Sequence, residues 1–342
     1  MNAKGLPAPS LRPAIGQSRA RTPCATRREF LVHNFLPPGT TPTPPTTRLP
    51  ADGRHLHGPI AAWVKLPTSY NTAGYDTAVC QLDDTGQRCG AYLQYSGSQQ
   101  TWAFVAPSSD ARYPGSYAFA HATGTPTAGA WTRLAATYNS ATHAMALYVN
   151  GALAGSGTND SPWSASGPLL IGGADGAGVG LTTLSTGSFT GSISAVTTYP
   201  YALTSGQVVA QYHADLGAKV FAPDDTTHPD DDPTTAWSVP STTAGATNTM
   251  TFTNGVLTVT NGATNKTFTA GSTPSTGTPQ LVFQVDGNLV IYPDPATASI
   301  ANGNELWSSV TGGHYDATLA LQPDGKLVIY NTLGTAVWTS GT

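Results

Sequence analysis

The sequence has little charge, and this shortage limits the class of protein it can encode. Only 10% of its 342 residues are charged, against about a quarter in an average globular protein. Long surface helices need lysine and glutamate on their solvent face, so this composition favours short strands joined by turns. No apolar run reaches the roughly 18 residues of a membrane-spanning helix. The net charge is −4 and no basic patch is legible, so we expect neither a membrane span nor a nucleic-acid partner.

Glutamate is almost absent, which argues against catalysis. Glu29 and Glu305 are the only two in the chain. Acid–base chemistry on sugars or peptides usually needs a placed pair of carboxylates or a histidine relay. The eight histidines are scattered, and five aspartates lie in one proline-containing stretch that we interpret as a linker: Asp224, Asp225, Asp230, Asp231 and Asp232. The composition therefore favours a non-catalytic binding protein over an enzyme.

Cysteine is scarce as well, with three residues in the chain. Cys80 and Cys89 flank a turn-like segment, and two strand ends joined by such a turn can approach to disulfide distance. Two free thiols facing a core are the alternative. The chain has no Cys-x-x-Cys pair, so we expect no structural zinc site. A disulfide and a body poor in lysine are typical of secreted proteins, and we expect an extracellular protein, although no clear signal peptide is legible.

Composition divides the chain into four parts. Residues 1–50 are rich in proline and arginine and are predicted to form a disordered lead-in. Residues 51–213 alternate between apolar and polar positions, as strands do. Residues 214–236 are acidic and are interpreted as the linker, and residues 237–342 contain an internal repeat.

The second part predicts a two-sheet sandwich. Asn150-Gly151 is a strong hairpin signal, and strands at this spacing without intervening helices indicate packed sheets. A short helix is expected at Ala202–His213. The predicted strands are Ala61–Leu66, Ala91–Tyr95, Thr101–Val105, Trp131–Tyr138, Met145–Val149, Leu169–Gly173 and Phe189–Val196.

The order of motifs in this part resembles that of the laminin G-like domains. The motifs are Trp131–Leu134, Leu147–Gly151, Leu170–Gly172 and Phe189–Ile193. The resemblance implies a concanavalin A-like jelly roll but no particular ligand, because this fold hosts sugar binders, protein binders and spacers.

Several members of this fold bind calcium, which makes calcium the one cofactor left open. Asp76, Asp110 and Asp175 are the candidate ligands in the loops. No spacing among them is diagnostic. Solvated loop carboxylates are the alternative that we favour.

The last part repeats itself three times around a glycine. The glycines are Gly255, Gly287 and Gly325, and each is followed by an aromatic residue: Phe268, Trp307 and Trp338. One such unit cannot bury its own apolar face, whereas three around a shared axis can. We therefore expect the three aromatic rings to meet at a common centre.

The second repeat carries a row of polar side chains spaced by two. On a single strand, Gln284, Asp286, Asn288, Val290 and Tyr292 would share one face. Amides, a carboxylate and a phenol around an apolar patch suit a pyranose, whose hydroxyls both donate and accept. The row has no nucleophile with an attached base, so it can hold a sugar but not cleave it. An ordinary amphipathic strand with a solvated face is the alternative.

The spacing Gln-x-Asp-x-Asn-x-Val-x-Tyr resembles the sugar-binding motif of the bulb-type, monocot mannose-binding lectins. Over about 105 residues the resemblance implies a β-prism II fold of three four-stranded sheets. It also implies that Gln284, Asp286, Asn288 and Tyr292 bind the hydroxyls of an α-mannoside and that Val290 contacts its ring.

The other repeats depart from the motif. The third keeps four of the five residues, Gln322, Asp324, Val328 and Tyr330, but has Lys326 in place of asparagine. Lysine donates but cannot accept, and we expect its ammonium to pair with Asp324 and obstruct this second candidate sugar site. The first repeat has lost nearly every polar group and is expected to be structural.

These patterns together predict an all-β protein, a concanavalin A-like sandwich followed by a β-prism II lectin domain. The favoured function is a non-catalytic lectin for α-mannose-type glycans or polysaccharides. Shallow sugar sites bind with dissociation constants on the order of 1 mM, so avidity through a homo-oligomer is expected. Two alternatives stay open: an adhesion protein acting mainly through the jelly roll, and an accessory binding fragment of a larger glycoside hydrolase.

Overall fold

The chain folds almost entirely into β-strands, in a computed structural model. The structure describes residues 28–30, 59–86, 88–111, 114–163, 165–174, 187–199, 202–222, 230–231, 236–294 and 303–342. Within these ranges the strands form five sheets, accompanied by one α-helix. The predicted all-β fold class is therefore confirmed.

Two of the sheets form the N-terminal sandwich. Its strands are β1 (Arg28–Phe30), β2 (Ile60–Lys65), β3 (Tyr75–Leu82), β4 (Cys89–Ser96), β5 (Thr101–Pro107), β6 (Tyr117–His121), β7 (Thr132–Asn139), β8 (Ala144–Val149), β9 (Ala152–Thr158), β10 (Leu169–Ile171) and β11 (Ser192–Thr198). One sheet has the order β1-β11-β2-β7-β8-β9, and the other has the order β10-β3-β4-β5-β6. Both sheets contribute to one core, in which Leu93, Leu134 and Leu147 are fully buried. Each such side chain contributes roughly 1.5–3 kcal/mol of transfer free energy.

The strand β1 lies within residues 1–50, the interval predicted to be a disordered lead-in. Its backbone pairs antiparallel with β11, with Arg28 opposite Thr198 and Phe30 opposite Val196. Without β1, β11 would be an open sheet edge with unpaired N–H and C=O groups. The remainder of the predicted lead-in lies outside the described residues.

The helix α1 (Ser205–Asp215) confirms the predicted short helix. It begins three residues and ends two residues later than predicted. Thr204 and Gln207 form a capping box: Thr204 Oγ1 accepts from Gln207 N at 3.2 Å, and Gln207 Oε1 accepts from Thr204 N at 3.0 Å. Asp215, at the other end of the helix, forms a buried ion pair with Arg133 at 2.7 Å and accepts from Trp63 Nε1 at 3.2 Å. These contacts fix the helix against the six-stranded sheet.

The remaining strands form three sheets of four strands each, as the resemblance implied. They are β12 (Lys219–Phe221), β13 (Asp230–Asp231), β14 (Ala236–Pro240), β15 (Thr247–Thr253), β16 (Val256–Asn261), β17 (Lys266–Gly271), β18 (Gln280–Gln284), β19 (Leu289–Tyr292), β20 (Trp307–Ser308), β21 (Thr318–Leu321), β22 (Leu327–Tyr330) and β23 (Ala336–Thr339). The sheets have the orders β14-β15-β16-β17, β13-β18-β19-β20 and β12-β21-β22-β23.

The three sheets share one core, and three aromatic rings meet in it. Phe268 lies 6.2 Å from Trp307 and 5.6 Å from Trp338, and the two tryptophans lie 5.7 Å apart, measured between ring centroids. All three pairs are steeply inclined, the edge-to-face geometry that aromatic quadrupoles favour. The predicted meeting of these rings at a common centre is confirmed.

The interval predicted to be an acidic linker, 214–236, is not a free spacer where the structure describes it. The strand β12 pairs with β21, and the backbone of β13 pairs with β18 at Gln284 and Phe283. The second and third repeats each supply only three strands, so the interval completes their sheets and covers edges that would otherwise be open.

Candidate functional site

The motif of the second repeat lies on a hairpin, which corrects the prediction of a single strand. Gln284 ends β18, and Asn288 lies opposite it, just before β19. Gln284 N donates to Asn288 O at 2.8 Å, and Gly287 N donates to Gln284 O at 2.9 Å. Gly287 has a φ of +85°, a conformation that glycine adopts without steric cost and that this three-residue turn requires. The chain therefore reverses in the middle of the motif.

The hairpin still brings the two ends of the motif together. Gln284 Nε2 donates to Tyr292 Oη at 3.0 Å, although eight residues separate them. Val290 is fully buried and packs with Val282 and Tyr292 in a small apolar cluster. An amide and a phenol thus lie side by side over an apolar base.

Asn288 is held by two residues that the sequence analysis missed. Its Oδ1 accepts from Ser309 Oγ at 3.0 Å and from Thr311 N at 3.1 Å, and its side chain is 5% exposed. Thr311 Oγ1 donates to Gly287 O at 2.7 Å, which ties the same segment to the turn. With Oδ1 occupied by protein donors, the NH₂ group is the part of Asn288 able to donate to a ligand. The signal was available, because Ser-x-Thr recurs as Ser340-Gly341-Thr342 in the third repeat.

Asp286 lies in the turn itself. One carboxylate oxygen accepts from Asn288 N at 3.1 Å, and the backbone oxygen accepts from His314 N at 2.8 Å. The side chain is partly exposed. Its second oxygen lies against Gly312, where an added Cβ would be only 3.0 Å away. The segment 309–314 therefore wraps around the turn and leaves little space beside the carboxylate.

This arrangement combines three kinds of group that a hydroxylated ring can use. Asp286 offers an acceptor, the amides of Gln284 and Asn288 offer donors, and Tyr292 offers a hydroxyl. Nothing in this hairpin pairs a nucleophile with a general base. Such a set of groups can form hydrogen bonds with a polar ligand.

The third repeat forms the same hairpin with a different outer surface. Gln322 N donates to Lys326 O at 2.9 Å, and Gln322 Nε2 donates to Tyr330 Oη, as in the second repeat. Val328 is buried beneath. Lys326 Nζ lies 3.5 Å from Asp324 Oδ2, so the expected ion pair is present.

A residue from the sandwich covers the ring of Tyr330. His213 of α1 stacks on it with ring centroids 4.0 Å apart and planes inclined by 20°. Burial lowers the pKa of His213 to about 4 and raises the pKa of Tyr330. The same interface contains a hydrogen bond of 2.8 Å from Thr318 Oγ1 to Gly206 O. The sequence analysis did not foresee this contact, which joins residues more than a hundred positions apart.

The first repeat turns differently. Asn254 and Gly255 both have positive φ, 49° and 84°, which is the two-residue turn that Asn-Gly favours. Thr253 therefore pairs directly with Val256. Phe252, at the position of Gln284, packs partly buried against the shared core, so this repeat presents no amide there.

The three calcium candidates do not form a cluster where the structure describes them. Asp76 is buried, and one of its oxygens accepts from Thr190 N at 3.1 Å and Thr190 Oγ1 at 3.0 Å. Asp110 pairs with Arg88 at 3.2 Å, and Asp175 lies outside the described residues. In the described part of the chain, no three His, Cys, Asp or Glu side chains are grouped as metal ligands.

The predicted disulfide between Cys80 and Cys89 is present. It joins β3 to β4 with a Cα–Cα distance of 5.7 Å, within the usual range for such bonds. None of the described helices is both long and apolar enough to cross a membrane.

A comparison with known protein families finds a match to the sandwich. Residues 58–209 match a family described as the concanavalin A-like lectin/glucanases superfamily. Among solved structures, a heptameric SAP-like pentraxin from Limulus polyphemus is 18% identical, with a TM-score of 0.37, over 46% of this chain and 71% of that one. The CBM40 of the Ruminococcus gnavus IT-sialidase, bound to α2,6-sialyllactose, is 13% identical, with a TM-score of 0.35, over 46% of this chain and 82% of that one.

A second similarity is to a curated plant protein. Over 71 residues the chain is 39% identical to the mannose-specific lectin of Aloe arborescens, which is 20% of this chain and 56% of that lectin. The match thus spans little more than half of the curated relative. The chain carries a concanavalin A-like domain at residues 58–209 together with a partial similarity to a mannose-specific lectin.

Proposed function

We propose that this protein is a non-catalytic lectin that binds α-mannose-type glycans at the hairpin of its second repeat. The observation that carries the proposal is the group of polar side chains around the turn that are hydrogen-bonded to one another. Gln284 is bonded to Tyr292, and Asn288 is held by Ser309 and Thr311 beside Asp286. The partial similarity to the mannose-specific lectin of Aloe arborescens supports the choice of sugar.

The chemistry of the site suits a hexose. Each sugar hydroxyl can donate to Asp286 and accept from an amide, so one hydroxyl can satisfy two protein groups. Val290 and Tyr292, both buried, form the apolar base beneath these polar groups. Binding costs less free energy when the side chains are already fixed in the unbound protein. The internal hydrogen bonds of the site fix them in this way.

One such site is expected to bind weakly, with a dissociation constant on the order of 1 mM. Useful attachment then depends on several sites engaging one surface, as in a homo-oligomer that binds a polysaccharide or a glycan-coated cell. We place the protein outside the cell, where the disulfide is stable.

A glycan array tests this function directly. The full chain is expected to bind α-mannose-terminated glycans, and Asn288→Asp is expected to abolish the signal because it replaces the donating NH₂ group by an acceptor. Asn331→Asp is the matched control. Oδ1 of Asn331 accepts from Leu333 N and Thr335 N in a turn of the third repeat, which aspartate can also do. An array without mannose-dependent signal, or equal loss in both variants, contradicts the proposal.

A further inference from the structure

One residue beside the site has a strained backbone and an exposed apolar side chain. Val310 has a φ of +58° and is 85% exposed. Positive φ is a genuine outlier for a β-branched residue, and such strain costs free energy that the rest of the fold must offset. An isopropyl group in solvent returns nothing to stability.

The other two repeats have glycine at this position. Counted from the central aromatic residue of each repeat, Val310 corresponds to Gly271 and Gly341, whose φ values are +82° and +68°. The positive φ is thus common to the three positions, and only the second repeat has a side chain there. A Cβ at Gly341 would meet nothing within 4 Å, so the third repeat has room for a side chain but lacks one.

Val310 lies directly between two residues that hold Asn288. Its neighbours Ser309 and Thr311 both bond to Asn288 Oδ1, and their hydroxyl oxygens lie 2.6 Å apart. Residue 310 is therefore the outer tip of a bend that is anchored on Asn288. The exposed side chain of Val310 is therefore available to a group attached to a ligand held at Asn288.

We propose that Val310 forms a second subsite that contacts the apolar C–H face of the next sugar in an oligosaccharide. The inference rests on the proposed function, because it presupposes a mannoside held at Asn288. The chemistry is that of an apolar surface joined to the mannoside, so an aromatic aglycone can use it too. We expect a single mannose ring held at Asn288 to gain little from Val310.

Calorimetric titration of the full chain tests this subsite. Methyl α-mannoside, an α-linked mannobiose and benzyl α-mannoside are compared in the wild type and in Val310→Gly. The wild type is expected to bind the mannobiose more tightly than methyl α-mannoside, and the variant to reduce that advantage roughly three- to tenfold through lost apolar contact. Leu333→Ser, which removes an exposed apolar side chain from the third repeat, should leave the ratio unchanged.

The outcomes separate the two proposals. If the wild type binds methyl α-mannoside and Val310→Gly keeps the full mannobiose advantage, the subsite is wrong and the lectin assignment stands. If the wild type binds none of the three ligands, the proposed function fails first. An advantage for benzyl α-mannoside alone assigns the contact to an aglycone and overturns the second-sugar ligand.

Thermal unfolding gives an independent readout. Relief of strain in Val310→Gly is expected to raise the midpoint, and Gly341→Val, which imports the same strain, to lower it. A stability loss in Val310→Gly beyond the roughly 1 kcal/mol that glycine's unfolded-state entropy explains would mean that the side chain serves the fold and would overturn the subsite.

Discussion

The second and third repeats build the same hairpin and present different surfaces with it. Each has a positive-φ glycine in the turn and a glutamine bonded to a tyrosine, Gln284 to Tyr292 and Gln322 to Tyr330. The third differs in two ways: Lys326 pairs with Asp324, and His213 stacks on Tyr330. The comparison shows that the motif forms the same hairpin whichever side chains it presents on its outer surface. Under the proposed function, we expect ligand binding to depend on the residue at position 288 or 326 and on what covers the hairpin.

Moving the lysine into the second repeat should have the largest effect. Asn288→Lys removes the amide, whose oxygen meets two donors at 3.0 and 3.1 Å, and places an ammonium beside Asp286. We expect affinity for methyl α-mannoside to fall more than tenfold, which is over 1.4 kcal/mol, in calorimetric titration.

The reciprocal change, Lys326→Asn in the third repeat, should not create a second sugar-binding site. Lys326→Asn recreates the five-residue motif, yet His213 still covers Tyr330. The expected stoichiometry stays at one site per chain. Two sites in Lys326→Asn would show that the lysine alone had silenced the third repeat.

Acid should weaken the interface at the third repeat. Burial lowers the pKa of His213 to about 4, against about 6.5 in the unfolded chain. The unfolded state therefore takes up a proton at higher pH than the folded state. The contribution of neutral His213 to stability is fully present above pH ~6.5 and is lost as the pH drops towards ~4, which amounts to about 3 kcal/mol.

Chemical denaturation as a function of pH measures this loss. His213→Phe keeps a ring against Tyr330 and removes the titrating group, so its stability should change less between pH 6.5 and 4. Parallel curves for the wild type and His213→Phe would show that another group is responsible.

A pair of serine variants should give the smallest and most discriminating effect. Ser309 Oγ accepts from Leu289 N at 2.9 Å, and Ser340 Oγ accepts from Leu327 N at 3.0 Å. Changing either serine to alanine should cost about 1 kcal/mol of stability. Only Ser309→Ala should also weaken sugar binding, about threefold, because only Ser309 holds Asn288. Equal binding by the two variants would remove Ser309 from the site.

Sequence patterns located most of the fold because the core positions recur at regular spacing. The meeting of Phe268, Trp307 and Trp338 followed from the repeat alone. The strand β9 was missed because glycines break its alternation. A Cβ at Gly155 or Gly157 would collide with carbonyl oxygens of β6, so these glycines record a close approach of the two sheet edges.

The segment that carries the candidate residues was predicted to be a single strand, and this geometry was wrong. A spacing of two fits both a continuous strand and a hairpin of this length, and the φ of +85° at Gly287 decides between them. The stacking of His213 on Tyr330 depends on how α1 and the third sheet pack, and no local pattern encodes that.

The most direct test of the account is a titration of the ¹⁵N-labelled full chain with methyl α-mannoside, followed by NMR. At about 20 mM ligand, well above a dissociation constant of ~1 mM, the side-chain amides of Gln284 and Asn288 and the backbone amide of Thr311 should shift together along one binding curve. Gln322 and Lys326 should stay in place. Shifts at the third hairpin with none at the second, or no shift at either, would contradict the assignment of the second repeat as the binding site.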